Sequence, residues 1–179
     1  MGHLFSRHYP WLILLGLLIL QGTIVHWLIP SSWQSQVYVA PHFTLVFVLF
    51  IGLFRHRHSA LVYGLIFGLL QDFNYYSSIL GIYSFGMGLS GYLAGLTQRR
   101  QPNLIFYNLL ITGLGLLTFE FLNYGINRLF KLIDVNWEFA LTHYMLPSVL
   151  FNLLFALLFY VPMRKLLEAK HSPATGADD

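Results

Sequence analysis

The sequence predicts an all-α integral membrane protein: a compact bundle of six transmembrane helices with both termini on the cytoplasmic side. Three observations predict it. First, the 179 residues are 56% hydrophobic and only 9% charged, with a mean hydropathy of +0.62. A soluble domain carries about 25% charged residues, so this chain cannot cover a water-facing surface. A soluble enzyme, a soluble binding module and a disordered chain are excluded together. Second, the apolar residues form continuous runs, as at 11–20 and 44–54. A membrane β-barrel would alternate apolar and polar residues instead. Third, the basic residues stand in small groups between the runs, the pattern that sets membrane topology. The sequence pI of 9.2 is therefore read as orientation, not as nucleic-acid binding. With no cysteine there is no disulfide, thiolate nucleophile or cysteine-ligated metal. At about 20 residues per span, six spans fill the chain. They form a single domain over 1–171, and the small, polar tail 172–179 is expected to be disordered.

The first span is read at 9–29. Arg7 and His8 precede it as in a signal peptide, but the run continues past Gln21 and Gly22 without an A-x-A site, so a retained anchor is expected. The second span is 37–54, with Pro41 at its start, and Arg55-His56-Arg57-His58 ends it. The third, 59–72, has about 14 residues and about 21 Å of rise. It must use flanking residues, thin the bilayer or stop short of a full crossing. The fourth is 77–97 and the fifth 103–124. Part of the mixed segment 125–140 is expected to lie as an interfacial helix. The sixth span, 141–163, has Pro147 and Pro162 marking its ends, and Arg164-Lys165 stops it.

Orientation follows from the cations. With the N-terminus inside, Arg7, Arg55, Arg57, Arg99, Arg100, Arg164, Lys165 and Lys170 are cytoplasmic, and only Arg128 and Lys131 lie outside. The basic 55–58 group is read as a loop near anionic lipid rather than a metal or nucleic-acid site.

The fourth span carries Gly81, Ser84, Gly88, Gly91 and Gly95 at spacings of 3, 4, 3 and 4, one helix face of small residues. The third carries Ala60, Gly64 and Gly68 at spacings of 4. Small residues let helix backbones approach in lipid, where apolar burial does not drive association. Such a face either packs the third and fourth spans on each other or receives another protein. Asp72 ends the third span, and Glu120 lies near the outer end of the fifth. An ionisable group in a membrane is a functional hypothesis, because burying charge is costly. By depth His26, His42 and His143 join them near the outer face, where the five residues would surround a cation or polar ligand, or each His would sit at the headgroup boundary without one. No metal-ligand spacing favours the former. Glu120 is protonated there or paired with a His. Ser148, Asn152 and Ala156 share a face of the sixth span, and Asn152 is expected to hydrogen-bond between helices. No catalytic triad, nucleotide loop or cofactor motif occurs.

At residues 64–95 the pattern GLIFGLLQDFNYYSSILGIYSFGMGLSGYLAG resembles the MreD family of bacterial rod shape-determining proteins. The shared features are Gly64, Gly68, Asp72, Ser77, Ser78, Leu80, Gly81, Tyr92 and Leu93. Pro41 opening the second span, Asn152 within the sixth and the closing Pro162-Met163-Arg164-Lys165 are also similar; His42 departs from the family's Asn or Asp. The resemblance implies a non-enzymatic scaffold of the cell-elongation machinery in the bacterial cytoplasmic membrane, without cofactor, that helps position or regulate peptidoglycan synthesis. It implies direct binding to MreC through membrane helices, with Gly64, Gly68, Asp72, Gly81, Ser84, Gly88, Gly91 and Gly95 as candidate partner or packing residues. MreB, RodA and a class B penicillin-binding protein would be reached directly or through MreC. It also implies a fold similar to the substrate-binding subunits of energy-coupling-factor vitamin transporters. The alternative function is therefore such a subunit, with an outer pocket between Asp72, Glu120, His26 and His143. An intramembrane enzyme built on Glu120 would need a nucleophile or metal set that the sequence does not supply.

Overall fold

The stretch FTLVFVLFIGLF has no polar face, and it forms the axis of the molecule. The computed structural model describes residues 2–28, 39–74, 79–97 and 104–168, apart from the side chains of 2–8, 24–28 and 168. Helix α1 is Gly2–Leu28, α2 Phe43–Phe54, α3 Arg57–Asn74, α4 Ile82–Leu96 and α5 Ile105–Leu129. Helix α6, Trp137–Ala140, runs through a π-helical turn, Leu141–Met145, into α7, Leu146–Glu168, so Trp137–Leu167 is one continuous rod. Among the described residues there is no strand.

All twelve residues of α2 are buried. A helix that is apolar all round is stable only when enclosed on every side by other apolar groups. Here protein encloses it: α1, α3, α4, α5 and α7 all pack on α2. Around this axis α3 lies on α4, α4 on α5, α5 on α7 and α1 on α3. Leu14, Phe67, Met87, Leu116, Phe119 and Ala156 meet the α2 side chains in one core.

The polarity is inverted relative to a soluble domain. Gln21, Gln71, Asp72, Ser90, Asn108, Thr112 and Asn152 are buried, while Leu12, Phe106, Leu150 and Leu158 are each more than 60% exposed. Apolar exposure on this scale suits acyl chains, not water. Ile105–Leu129 and Trp137–Leu167 are long and apolar enough to cross a membrane, and Tyr9–Thr23 and Phe43–Phe54 are shorter apolar helices.

Several boundaries differ from those expected, each for a physical reason. The second helix begins at Phe43, not 37: residues 39–42 are not helical, because Ala40 precedes proline, which disfavours the α region. The third is not confined to 59–72. It has 18 residues, about 27 Å, having recruited Arg57, His58, Phe73 and Asn74. The fourth begins at Ile82 because Gly81 has φ +103°, a left-handed conformation that glycine adopts without strain.

No separate interfacial helix occupies 125–140. Helix α5 runs on to Leu129 and closes in a Schellman turn: the Leu132 N–H donates to the Asn127 carbonyl (2.9 Å) and the Lys131 N–H to the Arg128 carbonyl (3.0 Å). Lys131 takes the left-handed position at φ 56°. The last rod starts at Trp137, so Pro147 and Pro162 lie inside it rather than at its ends. A proline ring clashes with the carbonyl four residues before it. The π turn ahead of Pro147 widens the helix there, and the Leu146 N–H donates to the Leu141 carbonyl, five residues back.

Candidate functional site

The α3–α4 pair is joined at one end by a carboxylate. Asp72 is fully buried near the end of α3. Its Oδ2 accepts the N–H groups of Gly81 (3.0 Å) and Ser84 (3.1 Å), and its Oδ1 accepts that of Tyr83 (3.1 Å). The first N–H groups of a helix have no partner within it and carry partial positive charge. The N-cap of α4, Gly81, has no side chain to supply an acceptor. Asp72 therefore caps a neighbouring helix, which explains how a carboxylate remains buried.

Below this cap the two backbones touch. A Cβ on Gly68 would fall 2.5 Å from Ser84 Cα, one on Gly64 2.7 Å from Gly88 Cα, and one on Gly95 2.6 Å from Arg57 Cα. Ser84 Oγ donates to the Leu65 carbonyl at 2.8 Å. On the α2 side, a Cβ on Gly52 would meet the Gly91 carbonyl at 2.5 Å, and one on Gly91 would meet Val48 Cγ1 at 2.7 Å. The small-residue face of α4 is thus filled by α3 and α2. Of the two readings of Gly64, Gly68, Ser84, Gly88, Gly91 and Gly95, packing inside the bundle or reception of another protein, these contacts are those of packing inside the bundle. Gly81 serves the turn, where a Cβ would meet nothing within 4 Å and the constraint is φ alone.

The second polar centre joins α2, α5 and α7. Asn152, fully buried on α7, accepts the His42 N–H at Oδ1 (2.7 Å) and donates through Nδ2 to the carbonyls of Ala40 (2.9 Å) and Ser148 (2.8 Å). Ser148 Oγ accepts the Ala40 N–H at 3.0 Å. Non-helical backbone at membrane depth persists only where protein satisfies its polar groups, and these two side chains do so for 40–42. From α1, Gln21 Oε1 accepts both the N–H and the hydroxyl of Thr44 at 3.3 Å.

His42 then projects between helices. Its Nε2 lies 3.3 Å from Glu120 Oε1, a buried ion-pair distance. Its ring meets Phe119 edge-on (4.9 Å) and Tyr83 at 6.4 Å. Of the five residues expected at the outer face, the structure brings His42 and Glu120 together. Asp72 is occupied by α4 backbone. His143 stacks on Phe139 (4.1 Å) and pairs through Nδ1 with Thr142 Oγ1 (2.7 Å). The side chain of His26 lies outside the described residues. The described contacts of Asp72 and His143 are thus with partners outside the expected group of Asp72, Glu120, His26 and His143. Among the described residues no group of three His, Cys, Asp or Glu side chains stands ready for a metal.

A glycine-packed α3–α4 pair sealed by Asp72, and a proline-led axial helix pinned by Asn152, occupy the segments on which the family resemblance rests. The family model for rod shape-determining protein MreD matches residues 6–170. The chain belongs to the MreD family. The rod shape-determining protein MreD of Bacillus subtilis (strain 168) is 32% identical to it over 141 residues, 79% of this chain and 80% of that protein. No solved structure matches the chain.

Within this MreD-family chain, sequence reasoning passed over three polar contacts. The shared helix face places Ser148 but does not reveal its bond to Ala40. Gln21 reads in sequence only as an interruption of an apolar run. The Asn108 amide, which donates to the Tyr160 hydroxyl at 2.7 Å and ties α5 to α7, was not singled out. A signal was present in each case: a lone amide or hydroxyl inside an apolar span is costly to leave unpaired.

Proposed function

We propose that the protein is a non-enzymatic, multi-pass scaffold of the bacterial cytoplasmic membrane that determines rod shape. It binds MreC through membrane helices and, directly or through MreC, serves MreB, RodA and a class B penicillin-binding protein, so that peptidoglycan synthesis is positioned or regulated along the cell. Membership of the MreD family over residues 6–170 carries this reading. The similarity to the Bacillus subtilis rod shape-determining protein supports it. The exposed apolar girdle supports a membrane location. The separation of charge between the two ends supports an orientation with both termini in the cytoplasm.

The packing narrows where a partner is received. With the α4 glycine face used inside the bundle, MreC is met by the outward apolar faces of the surrounding helices. The test is complementation. Expressed in a rod-shaped bacterium lacking its own MreD, the chain restores rods and co-purifies with that cell's MreC from mild detergent. Round cells that contain wild-type membrane levels of the protein, with no MreC recovered, refute the reading.

A further inference from the structure

The two flanks of the bundle present apolar faces of unequal height. On α3 every exposed side chain between His58 and Asn74 is apolar: Val62, Leu65, Leu69, Leu70 and Phe73. His58 and Asn74 are themselves exposed and polar, and bound this face at its inner and outer ends. The stretch between them is about 24 Å of helix. Helix α4 beside it has 15 residues, about 22 Å, and exposes Phe85, Leu93 and Leu96. On the other flank, α5 exposes apolar side chains from Ile105 until the exposed Arg128, about 35 Å of helix. The charged side chain within that stretch, Glu120, is turned to His42.

Both ends of the α3–α4 hairpin are fixed. At the outer end the Gly81 N–H donates to Asp72 Oδ2, so the chain has turned back at this level. Residues 79–81 are not helical, and Leu80 is exposed. Irregular backbone facing lipid does not occur within the hydrocarbon layer, so headgroups must meet the hairpin at this turn. At the inner end a long basic side chain can extend a short helix by reaching outward to the headgroups. Arg57 does not reach outward. Its guanidinium is drawn over the ring of Tyr92, 5.7 Å from the centroid, four residues inside the end of α4 at Leu96. A hydrocarbon layer is about 30 Å thick. Tilt shortens the projection of a helix on the bilayer normal, so it relieves the long α5 flank and leaves the α3–α4 flank shorter still.

We infer that the outward face of α3 and α4 is a lipid-binding surface matched to a thinned acyl layer, so that the bilayer narrows by about 6 Å on this flank and not on the α5 flank. The occupant is phospholipid with short acyl chains. Such chains cover Val62 to Phe73 without carrying the turn at 79–81 into hydrocarbon, whereas longer chains must compress to do so. The inference rests on the membrane placement proposed above. It is read in vesicles holding the chain alone, so its failure is distinct from a failure to restore cell shape.

The chain has no cysteine, so a single fluorophore can be placed on each flank through Leu69→Cys on α3 and Leu114→Cys on α5, both exposed positions. The full-length protein is reconstituted in vesicles of equal parts dimyristoleoyl and dierucoyl phosphatidylcholine, with one lipid or the other brominated. Quenching then gives the local ratio of the two lipids at each label. At Leu69 the short-chain lipid is expected to exceed the long-chain lipid about threefold. At Leu114 the ratio is expected to be one or lower. Phe73→Cys, also exposed on α3, keeps the test decisive should Leu69→Cys not fold. Equal quenching by the two lipids at the α3 label overturns the inference. So does the same short-chain excess at both labels, since the preference would then belong to the whole protein. An α3 label that neither lipid quenches overturns it as well, because a second copy of the chain would then cover that face.

Discussion

Replacing Asp72 by Asn keeps the side-chain shape and removes one acceptor. Asp72 Oδ2 receives two N–H groups, from Gly81 and Ser84, and Oδ1 receives one, from Tyr83. An asparagine places its single oxygen where Oδ2 was and turns its NH2 toward the Tyr83 N–H. Two bonds survive, but to a neutral acceptor, each weaker by about 1 kcal/mol; the third is lost and its buried donor costs a further 1–3 kcal/mol or so. The expected destabilisation is therefore about 3–5 kcal/mol, and Asp72→Ala, which loses all three bonds, exceeds it. The assay is SDS-driven unfolding in mixed micelles followed by fluorescence. Trp11 reports on α3 directly, since its ring lies 5.4 Å from both Tyr63 and Phe67. An Asp72→Asn variant within about 1 kcal/mol of the parent refutes the capping argument. It would mean that the three N–H groups find other acceptors and that the carboxylate is kept for another purpose.

Two further outcomes follow from packing and polar pinning. Gly68→Ala meets backbone atoms of α4 at 2.5 and 2.6 Å, which cannot rotate away, so it is expected to lower stability by about 2 kcal/mol or more, whereas Gly16→Ala, with nothing within 4 Å, is neutral or stabilising by up to about 1 kcal/mol; equal effects of the two in the same unfolding assay contradict the close approach of α3 and α4. Asn152→Leu removes the acceptor of the His42 N–H and the donor to the Ala40 carbonyl and is expected to cost about 2–4 kcal/mol, with hydrogen exchange at 40–44 rising first; unchanged exchange there would show that the segment before α2 is held by something else.

Periodicity explains why the α3–α4 pair was readable and its purpose was not. Small residues at spacings of three and four define a helix face whatever lies against it, so Gly64, Gly68, Gly88 and Gly91 could be placed on faces directly. Whether those faces meet each other or a foreign helix depends on the path of the chain. Asp72 is a similar case: its position at a helix end is plain, but an aspartate that caps the next helix and one that lines an outer pocket look the same in one dimension. Asn152 declared itself as an amide in an apolar run, while its partners at Ala40 and His42 lie more than a hundred residues away.

The α2 run shows where sequence reasoning ends. Twelve apolar residues look alike whether they face acyl chains or protein, because lipid tails are as apolar as leucine. The amino-acid order by itself determined that this chain is helical and lipid-compatible, which stretches are rods, which of their faces are small, and which ends are basic, because hydropathy, spacing and charge are local properties. Only the tertiary structure decided that α2 is the enclosed axis, that Asp72 and Asn152 satisfy backbone of other segments, and that His42 meets Glu120. Those outcomes depend on distances between residues remote along the chain, and packing fixes such distances through the sum of many weak contacts that no single window of sequence contains.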